Sequence, residues 1–190
     1  MTALADDTVA GFLNALAART SAPSAGAAAA LTAGAAAALA AMAARFSDST
    51  QSEFAEHADR LRAEVLSLAD ADGVAYAAVL EAVRLPRTTP DRRERIGQSL
   101  LAATEVPLRI AEKAAEIATL AARTAVAGNP RLSGDAQAGA LLAEGATRAA
   151  ARIVWINRDL GGLDATCTER AEGCLKVARQ AVTAATGSTP

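Results

Sequence analysis

One histidine, two cysteines and five aromatic residues are spread over 190 positions. A histidine-based zinc site or a catalytic triad would have to rest on His57 alone. That residue lies in the polar run Glu53-Phe-Ala-Glu-His57-Ala-Asp, which reads as a solvated face. Cys167 and Cys174 have neither the CxxC redox spacing nor the company of a metal quartet, and no metal is expected. Seven residues apart on one face of a predicted helix, they are too distant for a disulfide and read as two small reduced hydrophobes. The aromatics (Phe12, Phe46, Phe54, Tyr76, Trp155) and β-branched residues that fill sheets are scarce, which argues against all-β and doubly wound α/β folds. Charge of one sign is also lacking: 19 basic against 21 acidic residues give a net −2, with no basic block or stripe. A nucleic-acid partner is therefore not expected. The N-terminus, Met-Thr-Ala-Leu-Ala-Asp-Asp, has no positive region followed by an apolar one, so no signal peptide is implied.

What the chain has is alanine, 54 residues of it. Alanine is the best helix former, and 52% hydrophobic with 21% charged residues is not a disordered composition. The expectation is an all-α domain whose core is built from small side chains. Each contact in such a core is worth little, so long helices and a partner chain are called for. Between Arg19 and Arg45 there is no charge, and Ala27 to Ala44 is nearly all Ala, Leu and Gly. That length approaches a membrane span, but alanine gains little from hydrocarbon. A helix apolar all round and made of small residues suits the centre of a bundle. The reading is a buried central helix, no membrane association, and a cytoplasmic protein.

Caps and breakers place six helical segments. Asp6, Asp7 and Thr8 open a short one that ends near Arg19. Pro23 to Gly26 form a turn before the alanine helix, which reaches about Arg45. Thr50-Gln-Ser-Glu53 has the capping-box pattern, and a long helix follows to Arg84, where Leu85-Pro86 stops it. Thr89-Pro90-Asp91 starts the next, which runs to about Ala127 with a kink expected at Pro107. Gly128-Asn129-Pro130 breaks the chain, Ser133 to Asp135 cap a helix reaching about Asn157, and Gly161-Gly162 precede a last helix from Asp164 to about Ala185. Long helices with short connections predict an up-and-down bundle forming a single domain over 1–190, with a loose tail at 186–190.

Four polar constellations stand out. Asp72, Tyr76 and Arg84 fall roughly on one face near the end of the third helix, as a proton-transfer group with its neighbours or as a surface salt bridge. The loop from Ala127 to Asp135 puts Asp135 at a helix N-terminus, where an anion is favoured and a plain cap is an equal explanation. Glu105 stands beside the Pro107 kink. Asn157 lies on the apolar run Ile153-Val-Trp-Ile156 and needs hydrogen-bond partners if buried.

Taken in order, Asp70-Ala-Asp72-Gly-Val-Ala-Tyr76 running to Arg84-Leu-Pro86, then Ala103-Thr-Glu105-Val-Pro107-Leu, then Gly128-Asn129 to Asp135, then Val154-Trp-Ile-Asn157 resemble the cyclodeaminase/cyclohydrolase family. The resemblance covers nearly the whole chain. It implies an all-helical, homodimeric, folate-binding domain with no metal and no bound cofactor, a tetrahydrofolate derivative being the substrate. The implied chemistry is hydrolysis of 5,10-methenyltetrahydrofolate to 10-formyltetrahydrofolate, or closure of formiminotetrahydrofolate with loss of ammonia. On this reading Asp72 and Asp135 are the acid/base and pterin-binding candidates, and Arg84, at the family's lysine position, binds the tail carboxylate. Tyr76, Asn129 and Asn157 line the pocket, with Glu105, Ser24 and Gly26 as further substrate-binding candidates.

The departures fall at ligand-facing positions. Where the family pattern has P-G-G-G-S, this chain has Pro23-Ser24-Ala25-Gly26-Ala27, and its S-D pair is Gly134-Asp135. These changes keep two alternatives open: a member redirected to another small molecule, or a non-catalytic dimeric binding bundle.

Overall fold

The structure, a computed structural model, describes residues 4–187. Among them are six α-helices and no strand: α1 (Val9–Ala17), α2 (Ala25–Arg45), α3 (Ser52–Arg84), α4 (Arg92–Ala127), α5 (Ser133–Gly161) and α6 (Thr166–Thr186). Their ends follow local chemistry. Thr8 caps α1, its side chain accepting from the Gly11 N–H at 2.9 Å. Gly162 closes α5 at φ 61, a left-handed conformation that glycine adopts without steric cost.

The expected capping box at Thr50 does not form. Asp48 takes both the backbone N–H and the hydroxyl of Thr50, so a 3₁₀ turn, Ser49–Gln51, leads into α3 instead. The helix after Thr89-Pro90-Asp91 begins at Arg92, because Asp91 sits at φ 58 and interrupts the helical path. It then runs unbroken past the buried Pro107. The last helix extends through Thr186, one residue beyond the expected end, while 188–190 of the expected loose tail lie outside the described residues.

The alanine helix α2 is the centre, packed by α3, α4 and α5, and α6 covers α4 and α5. Ser24 meets Asp72 at one end of α2 and Arg45 pairs with Asp59 at the other, so α2 and α3 are antiparallel. Gly139 of α5 lies where a Cβ would stand 3.1 Å from the Ala36 carbonyl, and Ala150 shares a core cluster with Ala27, Ala29 and Ala30, so α5 is antiparallel to α2 as well. Ala33, Ala36, Ala37, Ala40 and Ala41 are at most 1% exposed and pack with Leu61, Val65, Ile117 and Ala140. By length and composition α2 could cross a membrane, but 61% of its most apolar window is buried in the bundle. It gains its stability from neighbouring helices, which suits the small side chains it offers.

At the α2 N-terminal end, α3 and α4 continue past the bundle as an antiparallel pair. Val79, Leu100 and Ala103 make a small separate core there, with Ala75 and Ile96 against it.

Close packing of α2 yields a direct expectation. Ala37→Leu inserts three carbons where no space exists and should cost about 1–3 kcal/mol. Thermal melting followed by circular dichroism should show a fall of several degrees; an unchanged midpoint would mean that α2 is not tightly enclosed.

Candidate functional site

Asp72 is the one buried ionisable side chain among the described residues, at 7% exposure. It has no ion-pair partner among them. What surrounds it instead is the start of α2. Ser24, at the N-cap, makes no capping bond with its side chain; its Oγ donates to Asp72 Oδ2 at 2.8 Å. Gly26, in the first turn, is buried, and a Cβ there would overlap the Asp72 carboxylate. The carboxylate thus sits over the uncapped first turn of a 21-residue helix, where the helix dipole favours negative charge. This arrangement, not a surface salt bridge, is what Asp72 does in the fold.

The other α3 candidates fan outward. Tyr76, one turn on, is 42% exposed. Arg84 is exposed at the end of the helix, about 18 Å from Asp72 at 1.5 Å per residue. In the chain it is followed by Arg87, Arg92, Arg93 and Arg95 across the α3–α4 connection, with Asp91 and Glu94 among them. A charge count over the whole chain hides this cluster, which corrects the expectation of no basic block. Arg92 is committed to the backbone, donating to the Leu85 and Val83 carbonyls at 2.8 and 2.6 Å. Arg87, Thr89, Asp91, Arg92 and Arg93 line a cavity of about 540 Å³.

Asn157 belongs to the same end of the molecule, where its amide Nδ2 donates to the Ala103 carbonyl at 3.1 Å. That bond satisfies the partner requirement anticipated for it. Glu105 points to the other flank of α4: together with Glu112 it receives Arg170 of α6, at 3.5 and 2.7 Å.

Asn129 and Asp135 lie elsewhere. The Asn129 N–H donates to Ser47 Oγ at 2.7 Å, its Nδ2 to the Phe46 carbonyl at 2.9 Å, and its Oδ1 accepts from the Arg131 N–H. This side chain ties the α4–α5 connection to the C-terminal end of α2. Asp135, half-buried in the first turn of α5, is also at that end. The length of α2, about 30 Å, separates both from Asp72. Within one chain the structure therefore gathers Ser24, Gly26 and Asp72, with Tyr76, Arg84 and Asn157 at the same end. It does not bring in Asn129, Asp135 or Glu105.

His57 is not simply solvated. Its Nε2 lies 2.9 Å from Glu116 Oε1, and Lys113 joins Glu64 at 2.7 Å, so the two pairs stitch α3 to α4. Nothing in the local sequence announces this pairing across 59 residues. Two adjoining cavities of about 540 and 550 Å³ follow the same seam between α3, α4 and α6. The Arg123 guanidinium lies 4.5 Å above the Phe54 ring between them; neither cavity touches Asp72. Cys167 and Cys174 are both free, and burial pushes the Cys174 thiol up from its ordinary value. Among the described residues no three His, Cys, Asp or Glu side chains converge as metal ligands.

A family model described as formiminotransferase-cyclodeaminase matches residues 8–183. The chain belongs to that family. It is 33% identical over 150 residues to the formimidoyltransferase-cyclodeaminase of Mus musculus, a match covering 72% of this chain and 28% of that protein. With the protein of the same name from Gallus gallus it shares 36% over 98 residues, 50% of this chain and 18% of the other. The matched region is thus under a third of either relative's length. In fold the chain is similar to a formiminotetrahydrofolate cyclodeaminase from Thermotoga maritima, with a TM-score of 0.83, 22% identity and 96% of each chain covered.

The geometry explains how this family member departs from the P-G-G-G-S pattern. Of the three glycine positions it keeps Gly26, the one pressed against Asp72. Ala25 is exposed, so its Cβ meets no obstacle, whereas Ala27 is fully buried. Ser24 returns a hydroxyl to the turn from its other end.

Two substitutions separate the two ends of α2. Gly→Ala inside a helix ordinarily stabilises by about 0.5–1 kcal/mol. Gly26→Ala should instead destabilise, because its Cβ displaces the Asp72 carboxylate; a raised melting temperature would refute that contact. Asn129→Ala should cost about 1–3 kcal/mol through the groups it leaves unpaired. Denaturant titration would read both.

Proposed function

We propose that this chain is an enzyme of folate one-carbon chemistry acting at the bridge between N5 and N10 of tetrahydrofolate. The observation that carries this reading is the buried, cation-free Asp72 carboxylate held against the first turn of α2, in a chain of this family. In the cyclodeaminase direction, N10 attacks the formimino carbon and gives up its proton, and the amino group leaves as ammonia once protonated. In the cyclohydrolase direction, water adds to the methenyl carbon and gives up a proton. The C–N5 bond then breaks as a proton is delivered to N5 and the hydroxyl on that carbon gives up its own, leaving the formyl group on N10. Both routes go through a tetrahedral carbon and need a proton taken up and delivered, and a fixed carboxylate with one oxygen not engaged by a side-chain donor suits that task. Asp72 is the group we assign to it.

Arg84 is the anchor for the anionic glutamate tail, with Arg87 and Arg93 beside it. The 12 residues from Asp72 to Arg84 span about 18 Å of helix, a separation that an extended pterin–aminobenzoate–glutamate molecule bridges. Tyr76 and Asn157 border the path between them. No metal or cofactor beyond the folate substrate is part of this proposal.

A homodimer belongs to the same reading. The outer strip of α2, including Ala28, Leu31, Thr32, Ala35, Leu39 and Met42, is only partly covered and carries no charge. A second copy would bury it. Asp135, about 30 Å from Asp72 along one chain, would act at the site only from that second copy. We place the protein in the cytoplasm, as a folate enzyme whose most apolar helix is seated in a bundle.

Two assays test the activity: loss of the near-ultraviolet band of methenyltetrahydrofolate, and ammonia release from formiminotetrahydrofolate. One should be accelerated, and Asp72→Asn should lower that rate by about 10²-fold or more. Turnover of neither substrate, or full activity in Asp72→Asn, would overturn the assignment. For the dimer, sedimentation should give twice the chain mass, and Leu39→Arg should shift it towards the monomer; a monomeric wild type would refute it.

A further inference from the structure

We propose that Ser24 is a positioning residue: its hydroxyl fixes Asp72 through Oδ2 and thereby keeps Oδ1 as the one working oxygen of the carboxylate. The inference rests on the reading of Asp72 as the proton-transfer group.

A serine at an N-cap ordinarily accepts a hydrogen bond from a backbone N–H of the first helical turn. Ser24 occupies that place, and its backbone carbonyl accepts the first helical bond, from the Ala28 N–H at 3.0 Å. Its side chain makes no capping bond. The hydroxyl turns away from its own helix and donates its single proton to Asp72, 48 residues along the chain, at 2.8 Å. A hydroxyl has one proton to give, and here it goes to a buried carboxylate, where such a bond is charge-assisted and stronger than a neutral one.

This bond makes the two carboxylate oxygens unequal. No other described side chain donates to Asp72. Oδ2 is held by Ser24, while Oδ1 has no side-chain donor and is the carboxylate atom packed closest to Gly26. The carboxylate is fixed at one oxygen and supported underneath by backbone, so rotation about its terminal torsion, otherwise broad, is restricted. A proton-transfer group needs hydrogen-bond reach to one defined atom, and small misplacements of such a group lower rate steeply. Ser24 acts on that geometry through Asp72 and is not itself in the reacting set.

Three variants test the assignment on whichever folate substrate the protein turns over. Ser24→Ala should lower kcat by about 10-fold or more, while KM changes less than threefold and the melting temperature falls by only the few degrees expected from one lost hydrogen bond. Ser24→Thr, which keeps the hydroxyl, should restore most of kcat. In an Asp72→Asn background, Ser24→Ala should have no further effect, since both changes act on one group.

A KM rise with kcat preserved would make Ser24 a substrate contact. A lowered melting temperature with kcat preserved would make it a helix cap. Either result overturns the proposal. Should Asp72→Asn retain full activity, the reading of Asp72 itself fails; should Asp72→Asn be inactive and Ser24→Ala unaffected, the positioning role alone fails.

Discussion

A helix faced with alanine and glycine lets its neighbours come close, and α2 is enclosed on three sides by α3, α4 and α5. Side chains of ordinary size would hold those helices farther off. The close approach has an effect at the N-terminal end of α2 that composition alone does not suggest. It brings the backbone of the first turn so near to α3 that a carboxylate can rest on it with no side chain between. The small-residue core and the burial of Asp72 are one arrangement. Enlarging the alanines would move α3 outward and carry Asp72 away from its seat.

That seat substitutes for two devices proteins commonly use. A buried carboxylate is ordinarily paired with a cation, and a helix N-terminus is ordinarily closed by its own cap. Here the carboxylate rests against the first turn of α2 at Gly26, and the hydroxyl of the N-cap Ser24 donates to it rather than to the helix. The site sits at the end of the bundle from which the α3–α4 pair projects. That projection carries the arginine cluster outward, so the charge lies at a distance from the apolar setting of Asp72.

The fold was legible in the sequence because its signals are local. Proline and glycine marked the breaks between helices, and the charge-free run marked the one to be enclosed on most sides. Asp72 stood out as an acidic residue in an Ala/Val stretch, a position that a surface salt bridge would also explain; its burial against α2 was not legible. Nor were partnerships across the chain. Asn129 looked like a ligand-facing amide, yet its N–H, Nδ2 and Oδ1 all serve backbone or Ser47, a use that depends on where the end of α2 falls. Asp135 shared a motif order with Asp72 but not an end of the bundle, because antiparallel helices scatter consecutive motifs to opposite ends. The arginines of 84–95 were in plain view, and a charge count over 190 residues averaged them away.

Gly26 and Asp72 also carry a message for comparing sequences of this kind. The space a side chain would need at Gly26 is filled by the Asp72 carboxylate, so the first position cannot gain a side chain without strain while the second keeps its aspartate. In related chains the two positions should change together: a residue larger than glycine at the first should coincide with loss of aspartate at the second. Such covariation has a steric origin and needs no appeal to importance. A chain that has traded both away would keep the bundle and lose the seat, so this pair of columns distinguishes relatives that keep a carboxylate against α2 from those that keep the scaffold alone.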